Sequence, residues 1–200
     1  MSKITLTTLG AASVAAAVPA MHFMTKRRGD EPVIKVSTMA LFMVGWVLLA
    51  TGLSRPPPGT ESSVGKDWKQ RQLALSVAGA VLIVTGVGLV RFRAKLNNLP
   101  LAVGAAVFVA GWAILTSAVV LSDPDFKDMS GSEQAGRVTQ AIASTLTIIS
   151  GAALISMSDA GVLPTGSSTV PLSSTTLEAA AGSTFALGWV GLVATSALQD

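Results

Sequence analysis

The sequence predicts an all-α integral membrane protein with six transmembrane helices, arranged as three repeated two-helix hairpins. Half of its 200 residues are hydrophobic and only 12% are charged, whereas a soluble domain carries about 25% charged residues. Six stretches approach the roughly 20 apolar residues that cross a bilayer core of about 30 Å. Because these runs are long and do not alternate strictly, they favour helices over barrel strands.

The six predicted spans cover residues 4–24, 36–54, 73–92, 101–121, 138–157 and 177–198. No Lys, Arg, Asp or Glu falls in the middle of any of them. The first stretch also has the pattern of a secretory signal, since Lys3 precedes an Ala-rich run that ends in Val18-Pro19-Ala20. We expect it to be an uncleaved spanning helix, so that residues 1–200 form a single membrane domain.

A short motif, F-x-x-G-W, recurs in the second, fourth and sixth stretches. Its copies are Phe42, Gly45 and Trp46; Phe108, Gly111 and Trp112; and Phe185, Gly188 and Trp189. This spacing places Phe and Trp on one helix face, while Gly lets another helix approach closely. Each tryptophan lies near the middle of its span, unlike those of an interfacial belt. We interpret the motif as a helix-packing contact; the alternative is three aromatic gates around a pseudo-threefold pore.

The motif and its surroundings divide the chain into internal repeats at about 3–56, 71–124 and 137–200, with linkers at 55–70 and 122–136. Arg71 and Arg137 open the second and third copies, and Lys3 holds a similar place ahead of the first. The repeat favours six spans over four, because it pairs the weaker Ala-, Ser- and Thr-rich stretches with stronger ones.

Two short basic clusters border the spans, Lys26, Arg27 and Arg28 in one and Arg91, Arg93 and Lys95 in the other. We predict that they contact anionic lipid or an acidic partner protein, although ordinary topology anchoring would place them equally well. Seven basic residues fall on each side of the membrane, so the positive-inside count is tied. The tighter clustering leads us to place these two clusters in the cytoplasm. The net charge of +3 does not predict nucleic-acid binding.

The composition leaves little chemistry for an enzyme. With no Cys and one His, thiolate and multi-histidine metal sites are excluded. His22 lies close to the predicted interface, which favours a headgroup-level histidine over a proton relay. The acids of the 122–136 loop lack EF-hand spacing and are expected to be solvated. We therefore expect no catalytic, cofactor or metal site.

Three two-helix units resemble the plan of the mitochondrial carriers, but the Pro-x-acid-x-x-basic signature of those proteins does not recur here. The sequence therefore assigns no family. It favours a structural membrane subunit that anchors or shapes the bilayer within a larger assembly, for instance the internal membrane under a viral capsid. Its expected partners are membrane lipid and other protein subunits. The alternative is a channel or transporter for a small neutral solute, since the middles of the spans offer only uncharged groups.

Overall fold

The computed structural model describes residues 1–28, 32–60, 64–160 and 174–197, and this part of the chain contains no strand. Six helices follow one another: α1 (Lys3–Arg28), α2 (Pro32–Leu53), α3 (Lys66–Arg91), α4 (Leu101–Val120), α5 (Gly131–Ala160) and α6 (Ser174–Ala197). Short 3₁₀ helices, Arg93–Lys95 and Pro124–Asp128, lie in the connections that follow α3 and α4.

All six helices are long and apolar enough to cross a membrane. Their outer surfaces are apolar as well: Val36, Val81 and Leu187 are 67%, 56% and 66% exposed. Exposing so much apolar surface to water is unfavourable, whereas exposing it to the hydrocarbon of a bilayer is not. The prediction of an all-α fold with six spans is confirmed, and by length and composition the chain is a multi-pass membrane protein.

Helix α5 begins within the segment predicted as a linker, because Ser130 and Glu133 form a capping box at its start. The Ser130 hydroxyl donates to Glu133 Oε2 at 2.6 Å, and the Ser130 backbone N–H donates to the same oxygen at 2.9 Å. This S-x-x-E pattern satisfies donors that a helix start otherwise leaves without partners. Residues 131–136, predicted as part of the linker, therefore belong to the helix.

The turn between α3 and α4 depends on two consecutive asparagines. Asn97 and Asn98 have φ values of 52° and 54°, in the left-handed region, which asparagine adopts more readily than most residues with a side chain. The chain reverses there within a few residues, and the Leu99 backbone N–H donates back to the Arg93 carbonyl at 3.2 Å. Helices α3 and α4 are thereby held antiparallel.

Consecutive helices pair closely, with the most extensive contacts between α1 and α2, between α3 and α4, and between α5 and α6. Less extensive contacts join α2 to α3, α4 to α5 and α6 to α1, so the six helices close into a ring. Arg55 donates to the Met1 carbonyl and Lys3 to the Ser122 carbonyl. The start of α1 therefore lies beside the ends of α2 and α4, at what we call the N-terminal end of the bundle.

Candidate functional site

The aromatic residues of the F-x-x-G-W motif form three similar pairs, one in each even-numbered helix. The ring centroids of Phe42 and Trp46 are 6.0 Å apart, with an interplanar angle of 80°. The corresponding pairs in α4 and α6 are each 6.3 Å apart, at 74° and 75°. These are edge-to-face arrangements, which the ring quadrupoles favour. The spacing of four residues brings each pair together on one helix face, as the sequence predicts.

The three tryptophans meet between α2, α4 and α6 in what we call the tryptophan core. The Trp189 ring lies 5.8 Å from the Trp46 ring and 5.8 Å from the Trp112 ring, measured between centroids. The exposed fractions of Trp46, Trp112 and Trp189 are 7%, 4% and 2%. The leucine three residues after each tryptophan is also buried, at Leu49, Leu115 and Leu192. The rings therefore pack against one another between the even helices.

The glycine of each motif faces the odd helix of its own pair. A Cβ atom added at Gly45 would lie 2.9 Å from the Val14 backbone nitrogen. At Gly111 it would lie 2.6 Å from the Ile83 nitrogen, and at Gly188 it would lie 2.5 Å from the Ile148 nitrogen. Distances below 3.0 Å to backbone atoms leave no room for a side chain. Each motif thus has two faces: glycine against the odd helix, and rings against the other even helices.

The indole N–H groups of Trp46, Trp112 and Trp189 are buried and have no hydrogen-bond acceptor within the described residues. A buried donor without a partner costs about 1–3 kcal/mol. The tryptophan core therefore contains three buried donors without acceptors among the described residues.

A second set of buried polar residues, which we call the α4 cap, lies at the N-terminal end. Lys3 Nζ donates to the Ser122 carbonyl at 2.7 Å, Gln72 Nε2 donates to the Leu121 carbonyl, and Arg137 Nη1 donates to Asp123 Oδ2 at 2.9 Å. The members of the cap are Lys3, Gln72 and Arg137 around residues 121–123. All three donors are at most 9% exposed.

The physical role of the cap follows from the end of α4. The last carbonyls of a helix have no partner in the helix itself, and its carboxyl end carries partial negative charge that favours cations. Helix α4 has no basic residue in its own last turn. Helices α1, α3 and α5 instead supply an ammonium, an amide and a guanidinium group from outside. Lys3 and Gln72 donate to the backbone carbonyls that directly follow α4, while Arg137 pairs with the Asp123 carboxylate beside them.

The α4 cap contains a residue that the repeat did not single out, and it corrects one sequence prediction. Arg71, which we aligned with Lys3 and Arg137, is exposed, whereas the neighbouring Gln72 is 0% exposed. The prediction of a solvated acidic loop is wrong for Asp123, which is 7% exposed because it pairs with Arg137. Spacing could have found the glutamine, since one face of α3 carries its buried residues Gln72, Ser76, Gly79, Ile83 and Gly86.

Of the two predicted basic clusters, the structure describes the side chains of one. Arg91 at the end of α3 and Arg93 and Lys95 after it are exposed, and Lys95 Nζ lies 5.9 Å from the centroid of the Phe92 ring. These groups are accessible to lipid or to a partner. The backbone of Lys26, Arg27 and Arg28 continues α1, while their side chains lie outside the described part of the structure.

His22 is half-buried near the end of α1, where its ring contacts Phe23 edge to face at 5.0 Å. Among the described residues, no group of three or more His, Cys, Asp or Glu side chains could hold a metal ion. Buried polar atoms from several helices come together in the tryptophan core and in the α4 cap.

Comparison with known proteins finds no relative: no family model, no curated protein and no solved structure matches this chain.

Proposed function

We propose that this chain is a structural membrane subunit, which anchors or shapes the bilayer within a larger assembly such as the internal membrane under a viral capsid. The observation that carries the proposal is the tryptophan core. Its rings are in contact and almost fully buried, so α2, α4 and α6 pack against one another through them. Tight packing between the even helices suits a protein whose task is to occupy and organise the bilayer with lipid and other subunits.

The α4 cap supports the same proposal. Its charged and amide groups bond to residues 121–123, at the end of α4. General acid–base or metal catalysis needs groups that exchange protons or bind ions beside a substrate. We accordingly propose that the protein has no enzymatic activity, needs no cofactor and binds no nucleic acid.

We also propose that the three helix pairs are copies of one unit, of which 3–56, 71–124 and 137–200 are the approximate limits. Three parallel sets of contacts support this. Each Phe–Trp pair has the same edge-to-face geometry. Each motif glycine meets the backbone of the preceding helix, and each motif tryptophan is followed by a buried leucine. A common origin would explain why equivalent positions pack alike.

The experiment that tests the structural proposal is purification of the full chain from its native membrane in a mild detergent, with quantification of every co-purifying protein. We expect one or more partners at a fixed stoichiometric ratio, held through the exposed ends of the bundle. A chain that purifies alone from all conditions, yet is stable and active in transport, would contradict the proposal.

The second candidate function is a channel or transporter for a small neutral solute. It is favoured by the three buried indole N–H groups without acceptors, since a hydrogen-bonding solute could accept from them. The test is solute flux into liposomes that contain the protein, with Trp112→Ala to open the core. Trp68→Ala is the matched control, because Trp68 lies in the first turn of α3 outside the core. Flux by the wild type that changes in Trp112→Ala alone would favour the transporter.

A further inference from the structure

A groove of about 490 Å³ lies between α4 and α5. One wall runs from Val109 on α4 to Leu121, just past the end of that helix, and the other runs from Val138 to Ile149 on α5. Phe126 of the connection after α4 also lines the groove. Wall residues Val109 and Leu146 are 57% and 58% exposed. The groove therefore opens sideways, toward the hydrocarbon that surrounds the spans.

The groove has the length of one bilayer leaflet. From Val109 to Leu121 the helical rise of 1.5 Å per residue gives about 18 Å. Half of the hydrocarbon core measures about 15 Å. Since Val109 lies near the middle of α4 and Phe126 lies beyond its end, the groove reaches from mid-bilayer to the boundary at the N-terminal end. Its length thus matches one acyl chain of the leaflet on that side.

The inner surface of the groove offers hydrocarbon contacts. The Thr116 hydroxyl is 2.7 Å from the Trp112 carbonyl and 2.7 Å from the Thr145 hydroxyl, which bridges the two walls. The Ser117 hydroxyl donates to the Ala113 carbonyl at 2.8 Å. Because these hydroxyls already have partners within the protein, the groove favours an apolar occupant over a polar one.

Charged residues stand at the end where a headgroup would lie. Asp125 and Lys127 flank Phe126, and Asp128 follows; all three are exposed. Two carboxylates and one ammonium group give this end of the groove a net negative charge, which repels an anionic headgroup. A zwitterionic headgroup is complementary to it, because its cationic group can approach the carboxylates while its phosphate approaches Lys127.

We propose that the groove binds one acyl chain of a zwitterionic phospholipid, whose headgroup lies at residues 125–128. This goes beyond a role as a structural subunit, since it assigns an individual lipid to a defined place between two helix pairs. The chain is held by dispersion contacts with both walls, since bilayer hydrocarbon supplies no hydrophobic drive of its own.

The test is native mass spectrometry of the full chain, released from nanodiscs that contain equal amounts of phosphatidylcholine and phosphatidylglycerol. We expect one retained phosphatidylcholine per wild-type chain. In Ala113→Phe a ring fills the groove, and the retained fraction should fall about tenfold, equivalent to about 1.4 kcal/mol. Ala105→Phe is the matched control, since Ala105 is exposed on the same helix outside the groove, and it should retain lipid like the wild type.

A second filling variant guards against a folding defect. Ile142→Phe narrows the groove from the opposite wall and should lose the lipid in the same way, while all variants keep the far-ultraviolet circular dichroism of the wild type. Equal retention in the wild type and in both filled variants would overturn the proposal, as would a wild type that retains no lipid. Retention of phosphatidylglycerol, or of a second protein chain in the groove, would overturn it as well.

Discussion

The close approach of helices at the motif glycines predicts that one substitution, Gly→Ala, will have opposite effects at two positions. A methyl group at Gly111 would lie 2.6 Å from the Ile83 nitrogen and 2.9 Å from the Gly79 carbonyl oxygen. Both are backbone atoms of α3, so relief requires the two helices to separate. At Gly88, on α3, the same methyl group would meet nothing within 4 Å.

The magnitudes follow from two competing effects. Overpacking costs about 1–3 kcal/mol, whereas replacing glycine by alanine in a helix gains up to about 1 kcal/mol. We therefore expect Gly111→Ala to lower the free energy of unfolding by about 1–2 kcal/mol. Gly88→Ala should raise it by about 0.5–1 kcal/mol, because the gain in helix propensity is not opposed by a clash.

The assay is reversible unfolding in mixed micelles of mild detergent and dodecyl sulfate, followed by far-ultraviolet circular dichroism. The two variants carry the same change of side chain, so the difference between them reports the local space alone. Free energies of unfolding that move by the same amount, or in the same direction, would refute the inference that α3 and α4 are in backbone contact at Gly111.

Three further predictions use the same assay. Arg137→Met removes one partner of a buried ion pair and leaves Asp123 buried without it, so we expect a loss of about 3–5 kcal/mol. Trp189→Ala removes the ring that contacts both other tryptophans, and it should cost about 3–5 kcal/mol. A double-mutant cycle of Thr116→Val and Thr145→Val should give a coupling of about 0.6 kcal/mol, the average for hydrogen bonds between membrane helices.

Each of these three predictions has a control substitution at another position of the same chain. Arg71→Met changes an exposed arginine one turn from the N-terminus of α3 and should be nearly neutral; a loss as large as that of Arg137→Met would contradict the assignment of the cap. Trp68→Ala should cost much less than the core substitution. Thr147 bonds only to a carbonyl of its own helix at 2.8 Å, so replacing Thr145 by Thr147 in the cycle should abolish the coupling.

The sequence could predict which residues share one face of a helix, but it could not predict which helices contact one another. The face shared by Phe42, Gly45 and Trp46 follows from helical periodicity, and the structure places rings and glycine accordingly. That Trp46 and Trp112 both contact Trp189 depends on how the ring of helices closes. Spacing contains no information about that closure.

The α4 cap could not be predicted from the positions of charged residues. Charged residues at the ends of spans usually lie at the membrane surface and fix the topology, so the position of Asp123 does not indicate that it is buried. Gln72 is neutral and lies next to the charged Arg71, but it shares a helix face with Ser76 and Gly79. A search for polar residues on the small-residue face of each odd helix would have found it.

The ring of helices has a consequence for the order in which the chain can assemble during synthesis. Each consecutive pair can make its principal contacts as soon as its second helix has been inserted, since those partners are neighbours in sequence. The hydrogen bond from Lys3 to the Ser122 carbonyl, however, can form only after Ser122, which lies 119 residues further along the chain, has been synthesised. The contact between α1 and α6 can form only when the last helix has entered the bilayer. Biogenesis should thus pass through an open arc of helices whose two free flanks meet last.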